Sequence, residues 1–294
     1  MGNKEFHFIG ETLDLNDQAR LCVEGNFIKL SDGFTHYELA GPPEGQVVIL
    51  VHGFSVPYFL WDPTFKALVE AGFRALRYDL YGRGYSDRPL TTYDSNLFDR
   101  QLRELITALQ IDQSVDLVGL SMGGSIVTVF TKRHPELARR LCLISPAGFE
   151  GTLPATARLL NIPMLGEVLM SLFGEQVIVS AQSKDFYHPE RFPDYVERIR
   201  PQMKYKGYRR ALLSTMRFGP LDGLSESYKR VGQQGTPILL LWGCQDRTVP
   251  FALSAKVRAA LPKAEFHAIE EAGHVSEYER PEVVNPLLIE FLKK

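Results

Sequence analysis

The stretch VDLVGLSMGGSIVTVF, residues 115–130, decides how the chain is read. Its first half is an apolar strand pattern that runs straight into Gly119-Leu120-Ser121-Met122-Gly123, a G-x-S-x-G motif. A helix pattern leaves it, with Ile126, Val127 and Phe130 on one side. A sharp strand-to-helix turn holds its central side chain in strained geometry above the sheet edge. Small residues two before and two after Ser121 relieve crowding against neighbouring backbone. The helix start supplies free N–H groups and a positive dipole end. In this setting Ser121 reads as a nucleophile and not as part of a mere tight turn.

A serine hydroxyl needs a base, and the base needs an orienting carboxylate. Of seven histidines, His274 lies in Glu271-Ala272-Gly273-His274, a loop directly after the last strand pattern. Gly273 lets the backbone bend so that the imidazole can point back across the sheet edge. His7 falls in the polar leader, His36 in an edge strand, His134 at a helix end, His188 in an insertion and His267 within the last strand. The acid should lie between Ser121 and His274, after another strand. Asp246 fits, because it follows ILLLW (238–242) and a glycine turn. Asp185 and Asp222 lie in the insertion and are poorer candidates.

Acyl transfer also needs donors for the oxyanion. The Met122 N–H follows the nucleophile, and the Phe54 N–H follows the turn His52-Gly53 after VVILV (47–51). His52 itself reads as structural. Tyr58, Phe59 and Trp61 follow closely and are candidate walls of the substrate site. The apolar stretch 159–173, with Leu165 and Leu169, either lines an acyl pocket, touches lipid or is the core of its own segment. No metal or organic cofactor is required by this chemistry.

Outward from this centre, strand and helix patterns alternate. Strands are expected at 26–30, 35–39, 46–51, 73–78, 115–120, 141–145, 238–242 and 265–269, and helices at 65–71, 97–109, 122–133, 253–261 and 283–292. Alternation of this kind predicts crossover units on a mainly parallel sheet with helices on both faces. The rhythm breaks at 149–225, which is helix-rich, so the expected organisation is an α/β core of 1–148 and 226–294 with a helical insertion at 149–225. Gly82-Arg83-Gly84 lacks the lysine and third glycine of nucleotide loops and reads as a turn over the sheet edge.

The chain has 294 residues, 45 % hydrophobic and 23 % charged, with a net charge of -2. These values fit a large buried core and exclude disorder and a dedicated nucleic-acid binder. Cys22, Cys142 and Cys244 form no CxxC pair and no zinc spacing, so they read as small hydrophobes. The first residues lack a signal-peptide core, and no run is long enough to span a membrane, which predicts a cytoplasmic protein. Residues 191–217 carry eight basic and two acidic side chains. They read as a solvated face, with attraction to acidic substrates or weak contact to an anionic membrane surface as the other reading.

Taken together, HGF (52–54), DLYGRGYSDRP (79–89), GLSMGG (119–124), WGCQD (242–246) and EAGHVSEYERP (271–281) resemble the α/β-hydrolase superfamily across nearly the whole chain. The resemblance implies an eight-stranded, mostly parallel sheet and a helical cap. Within the superfamily the chain looks most like capped carboxylesterases and monoacylglycerol-lipase-like enzymes, acting on small lipophilic esters. Haloalkane dehalogenases and epoxide hydrolases carry Asp where this chain has Ser121. The chain also resembles carbon–carbon hydrolases of ring-cleavage products, but Val275 stands where those often carry Trp. Arg198 or Arg200 could bind a substrate carboxylate as in those enzymes, so that reading stays open beside ester cleavage. A ligand receptor with little turnover is the rival from another class.

Overall fold

The computed structural model describes residues 6–149 and 159–294; the expected insertion's stretch 150–158 and residues 1–5 of the leader lie outside the described residues. In chain order the elements are α1 (Asp17–Arg20), β1 (Asn26–Leu30), β2 (Gly33–Ala40), β3 (Val47–Val51), α2 (Asp62–Glu70), β4 (Arg74–Tyr78), α3 (Ser95–Ala108), β5 (Val115–Leu120), α4 (Met122–Arg133) and β6 (Ala138–Ile144). Then follow α5 (Leu165–Lys184), α6 (Tyr195–Ile199), α7 (Tyr208–Phe218), α8 (Ser225–Gln234), β7 (Ile238–Gly243), α9 (Ser254–Ala260), β8 (Glu265–Ile269), α10 (Ser276–Glu279) and α11 (Pro281–Lys293).

The strands form one eight-stranded sheet in the order β1-β2-β4-β3-β5-β6-β7-β8. β2 runs antiparallel to both its neighbours, and every pairing from β4 to β8 is parallel. β3 explains why the centre is parallel. Val47, Ile49 and Val51 enter the core on one face, and Val48 and Leu50 enter the core on the other. A strand covered on both sides must be apolar at every position, and VVILV is.

One face carries α3, α4, α8 and α9, through residues such as Phe98, Phe130, Tyr228 and Val257. The other carries α2 and α11, through Phe65, Leu68, Leu288 and Phe291. α3 starts where its cap dictates: the Asp94 carboxylate accepts hydrogen bonds from the Asn96 and Leu97 amides. Its expected apolar face, Leu97, Leu102, Leu105 and Ile106, is buried.

Three details differ from the sequence reading. β2 is not an edge, because β1 folds back outside it; His36 is therefore buried, with Nδ1 2.7 Å from Asp79 Oδ2. β6 begins three residues early, since Arg139 donates to Asp116 Oδ2 at 2.5 Å and to the Leu292 carbonyl at 2.8 Å, which gives two polar residues a place in a central strand. The leader is not merely polar. Phe8 is buried in the core, Ile9 N–H donates to Ser171 Oγ, and the Glu11 carboxylate accepts from the Gly207 and Arg209 amides. Of the cysteines, Cys142 is buried, Cys244 half-buried and Cys22 exposed.

Between β6 and β7 the described residues contain helices only. Several basic residues of 191–217 brace this segment, both internally and against the leader. Arg209 is buried and donates to the Ile9 and Ser171 carbonyls, Arg217 pairs with Glu167, Arg200 with Glu175, and Lys206 with Asp14. The apolar residues of α5 divide. Met170 and Ile178 are buried, whereas Leu165, Val168, Leu172, Phe173 and Val177 are exposed. Among the described residues no helix is long and apolar enough to cross a membrane.

The contact between β3 and α4 gives a direct stability prediction. A Cβ on Gly123 would lie 2.1 Å from the Val51 carbonyl oxygen, a backbone atom that cannot swing aside. Gly123→Ala should cost about 3 kcal/mol or more in urea unfolding. Gly72→Ala, at φ +90° but in open space, should cost only the left-handed backbone penalty of about 1–2 kcal/mol. Equal losses in the two variants would mean that β3 and α4 separate easily, and would refute the packing argument.

Candidate active site

Ser121 sits between β5 and α4 with φ 53° and ψ -120°, a region that side-chain-bearing residues rarely occupy. The neighbouring glycines make this possible. A Cβ on Gly119 would meet Gly123 C at 2.5 Å, and Gly53 passes so close that its Cβ would lie 3.4 Å from Ser121 Cβ. The turn thus holds the hydroxyl against the loop that follows β3.

His274 and Asp246 arrive from the loops after β8 and β7. His274 Nδ1–H donates to Asp246 Oδ2 at 2.8 Å. Asp246 Oδ1 accepts from the Thr248 and Val249 amides, each at 2.9 Å, which fixes the carboxylate plane. Gly273 is needed because a Cβ there would lie 2.3 Å from the Asp185 carbonyl oxygen. Burial by itself pushes the His274 imidazole down. The charge and hydrogen bond of Asp246, with Asp185 and Glu277 behind, outweigh that effect and hold the imidazole above its ordinary value.

The loop after β3 is oriented by His52 and Arg83. His52 Nδ1–H donates to the Gly53 carbonyl at 2.9 Å, while its Nε2 accepts from the Leu80 amide at 2.9 Å. Burial pushes His52 down to about 4, so it stays neutral and keeps this tautomer. In a trans peptide the C=O and N–H point in opposite directions. Fixing the Gly53 carbonyl toward His52 therefore turns the Phe54 N–H away from it. The buried Arg83 donates to the Phe54 carbonyl at 2.8 Å and pins the next peptide. Among the described residues neither the Phe54 nor the Met122 N–H donates to a protein acceptor, so both are free for a ligand oxygen.

Ser121, His274 and Phe54 line one cavity of about 110 Å³ with Gly53, Ser55, Val56, Leu120, Ala181, Gln182, Asp185, Thr248 and Val275. That volume is small beside the ~300–1,000 Å³ of sites for drug-sized ligands. An open apolar groove of about 500 Å³ adjoins it, sharing Ala181 and Thr248 and continuing along Phe173 and Val177 of α5.

The other sequence candidates lie elsewhere. Tyr58 stacks on His36 and, with Phe59, lines a separate groove. Trp61 is fully buried in the core beneath. Leu165 is exposed and Leu169 half-buried on α5. Leu165 stands sixteen positions before Ala181, about 24 Å along a helix axis. Only the C-terminal end of α5 reaches the cavity, which is why Ala181 and Gln182 line it and the leucines do not. Arg198 donates to Asp62 at 2.7 Å and lies 4.0 Å over the Phe59 ring, and Arg200 donates to Glu197 and Glu175; neither lines the cavity.

Two further acids stand at the site: Asp185, set aside in the sequence as a poorer candidate for the acid, and Glu277, which the sequence did not single out. The Asp185 carbonyl accepts from the His274 amide at 2.6 Å, and its Oδ1 accepts from Thr248 Oγ1 at 2.5 Å. Glu277 is fully buried, with no hydrogen-bond donor to either carboxyl oxygen among the described residues, and burial pushes it up to about 8. Nothing local marks Asp185 in the sequence, since its partners are 63 and 89 positions away. Glu277 had a signal: it is three residues past His274, within the turn that places the imidazole.

A family model described as the alpha/beta hydrolase family matches residues 48–287. A 2-hydroxy-6-oxo-6-phenylhexa-2,4-dienoate hydrolase of Comamonas testosteroni is 29 % identical over 280 residues, covering 90 % of this chain and 93 % of that one. An enol-lactonase from Burkholderia xenovorans LB400 superposes with TM-score 0.77 at 21 % identity, over 92 % of this chain and 100 % of that one. A meta-cleavage product hydrolase from Pseudomonas fluorescens IP01 gives TM-score 0.75 at 23 % identity, over 92 % and 97 %. With the family model spanning most of its length and the sheet, turn and loops in register with that architecture, the chain belongs to the alpha/beta hydrolase family.

Proposed function

We propose that the chain is a serine hydrolase of carboxylic esters, of the capped carboxylesterase or lipase type, with 1–148 and 226–294 as its core and 149–225 as its cap. The observation that carries this reading is one cavity holding Ser121, the Asp246-bound His274 and a free Phe54 amide, with no Lys or Arg in its lining. Ser121 Oγ attacks the ester carbonyl carbon while His274 Nε2 takes the hydroxyl proton. The oxyanion rests on the Phe54 and Met122 N–H groups. As the carbonyl re-forms, the C–O bond to the alcohol breaks, and His274 returns the proton to the leaving oxygen. Water, deprotonated by His274, then releases the acid and regenerates Ser121.

A second reading, carbon–carbon hydrolysis of ring-cleavage products, is favoured by the resemblance to the Comamonas testosteroni hydrolase. Such a dienoate substrate carries a carboxylate; the inner cavity offers it only His274, and Lys184 and Arg247 line the open groove beside it. The deciding experiment compares p-nitrophenyl esters from acetate to palmitate with a 2-hydroxy-6-oxo-dienoate under identical conditions. Ester turnover that exceeds dienoate turnover is the expected result. Dienoate cleavage with no ester turned over would replace the first reading by the second.

A further inference from the structure

The wall of the cavity that comes from α5 and the residue after it is made of hydrogen-bond acceptors. Asp185 is 6 % exposed and lines the cavity with Ser121 and His274. One of its carboxylate oxygens accepts from Thr248 Oγ1; the other has no donor among the described residues. Next to it, Gln182 spends its amide N–H on Ser55 Oγ, and its own carbonyl oxygen is buried without a donor. The cavity lining therefore includes a carboxylate with one oxygen that meets no donor among the described residues, while the Gln182 carbonyl oxygen is closed off from solvent. A buried acceptor left unmet is costly, and a ligand donor removes that cost.

The anchoring of Asp185 is independent of its carboxylate. Its main-chain carbonyl accepts from the His274 and Val275 amides, so the backbone holds the side chain at the mouth of the triad whatever that side chain is. The groove that adjoins the cavity is apolar along Phe173, Val177 and Ala181 and suits the acyl chain; its cations, Lys184 and Arg247, line this groove and not the inner cavity. The small inner cavity is left for the other half of the ester.

We propose that Asp185 is a specificity residue that selects esters whose small half, seated beside Ser121, carries a hydroxyl or amino donor, and rejects esters whose small half carries a carboxylate. A donor on that half answers the free oxygen of Asp185. A carboxylate there is brought against a like-charged group in a site screened from water, with no Lys or Arg in the lining to offset it. This inference rests on the ester-hydrolase reading above.

The test uses three hexanoate esters that share one acyl chain: the hydroxyethyl, the propyl and the carboxymethyl ester. Wild type should hydrolyse the carboxymethyl ester at least about tenfold less efficiently than the propyl ester, with the hydroxyethyl ester the best of the three. In Asp185→Asn the ratio of carboxymethyl- to propyl-ester kcat/KM should rise about tenfold, whatever common factor the lost charge near His274 imposes on all three esters. Equal treatment of the three esters by wild type, or a uniform loss on all three in the variant, overturns the proposal. If the variant does not fold, competitive inhibition of wild type by hexyloxyethanol and hexyloxyacetate gives the same discrimination. Stronger inhibition by the acetate would overturn it. Wild type that hydrolyses none of the three esters refutes the ester reading itself, an outcome distinct from hydrolysis without discrimination.

Discussion

Ser121→Ala should abolish ester hydrolysis, lowering kcat by about 10⁴- to 10⁶-fold while the protein stays folded. The size follows from the site's arrangement. In the proposed mechanism His274 and the Phe54 and Met122 amides activate and stabilise only an oxygen placed at the elbow, and alanine puts none there. What survives is the contribution of binding and of the amides acting on adventitious water. Alanine also fits the space: the φ of 53° at position 121 is already endured by serine, so the backbone cost is unchanged. Circular dichroism and a thermal melt like those of wild type should accompany the loss. A fluorophosphonate should label wild type at Ser121 and leave the variant unmodified. Turnover within tenfold of wild type would place the nucleophile elsewhere and undo the assignment.

Asp246→Asn should lower kcat/KM by about 10⁴-fold and move its acid limb to lower pH. The base must be neutral to accept the serine proton, so activity falls as pH drops through the His274 pKa. In wild type burial works to lower that pKa, and the charge and hydrogen bond of Asp246, together with the Asp185 and Glu277 charges, more than reverse it. The acid limb of wild type is therefore expected above the ordinary imidazole value of about 6.5. Asparagine removes the charge and leaves the burial, so the imidazole becomes easier to deprotonate. The rate nevertheless falls, because an amide NH₂ facing Nδ1 favours the tautomer with the proton on Nε2, where the base must be free. Full pH profiles of both proteins separate these effects. An unshifted acid limb in the variant would show that a group other than His274 governs it, with Glu277 and Asp185 next in line.

The helical segment shows where sequence reading stops. Its existence follows from a break in the strand rhythm after β6, and the described part is helical. Which face of α5 meets the site does not follow, because its apolar residues surround the helix instead of marking one stripe. Leu165 and Leu169 were attractive as apolar residues near a lipophilic site, yet the helix approaches the cavity with its other end. Tyr58, Phe59 and Trp61 failed for a related reason. The turn after the oxyanion loop carries them behind it, where Trp61 fills the core and Tyr58 packs on His36.

The parallel centre of the sheet, the sharp turn at Ser121 and the loops that carry Asp246 and His274 are all legible in the chain's local pattern. These are local properties: a doubly buried strand needs an unbroken apolar run, and a turn this tight needs glycines at fixed offsets. The surroundings of Ser121, Asp246 and His274 come from the folded chain alone. The pairing of Thr248 with Asp185, the burial of Glu277 beside His274, and the diversion of Arg198 and Arg200 to surface acids depend on contacts across tens of residues. No periodicity encodes such contacts, because a side chain's electrostatic surroundings are set by whichever segments fold against it.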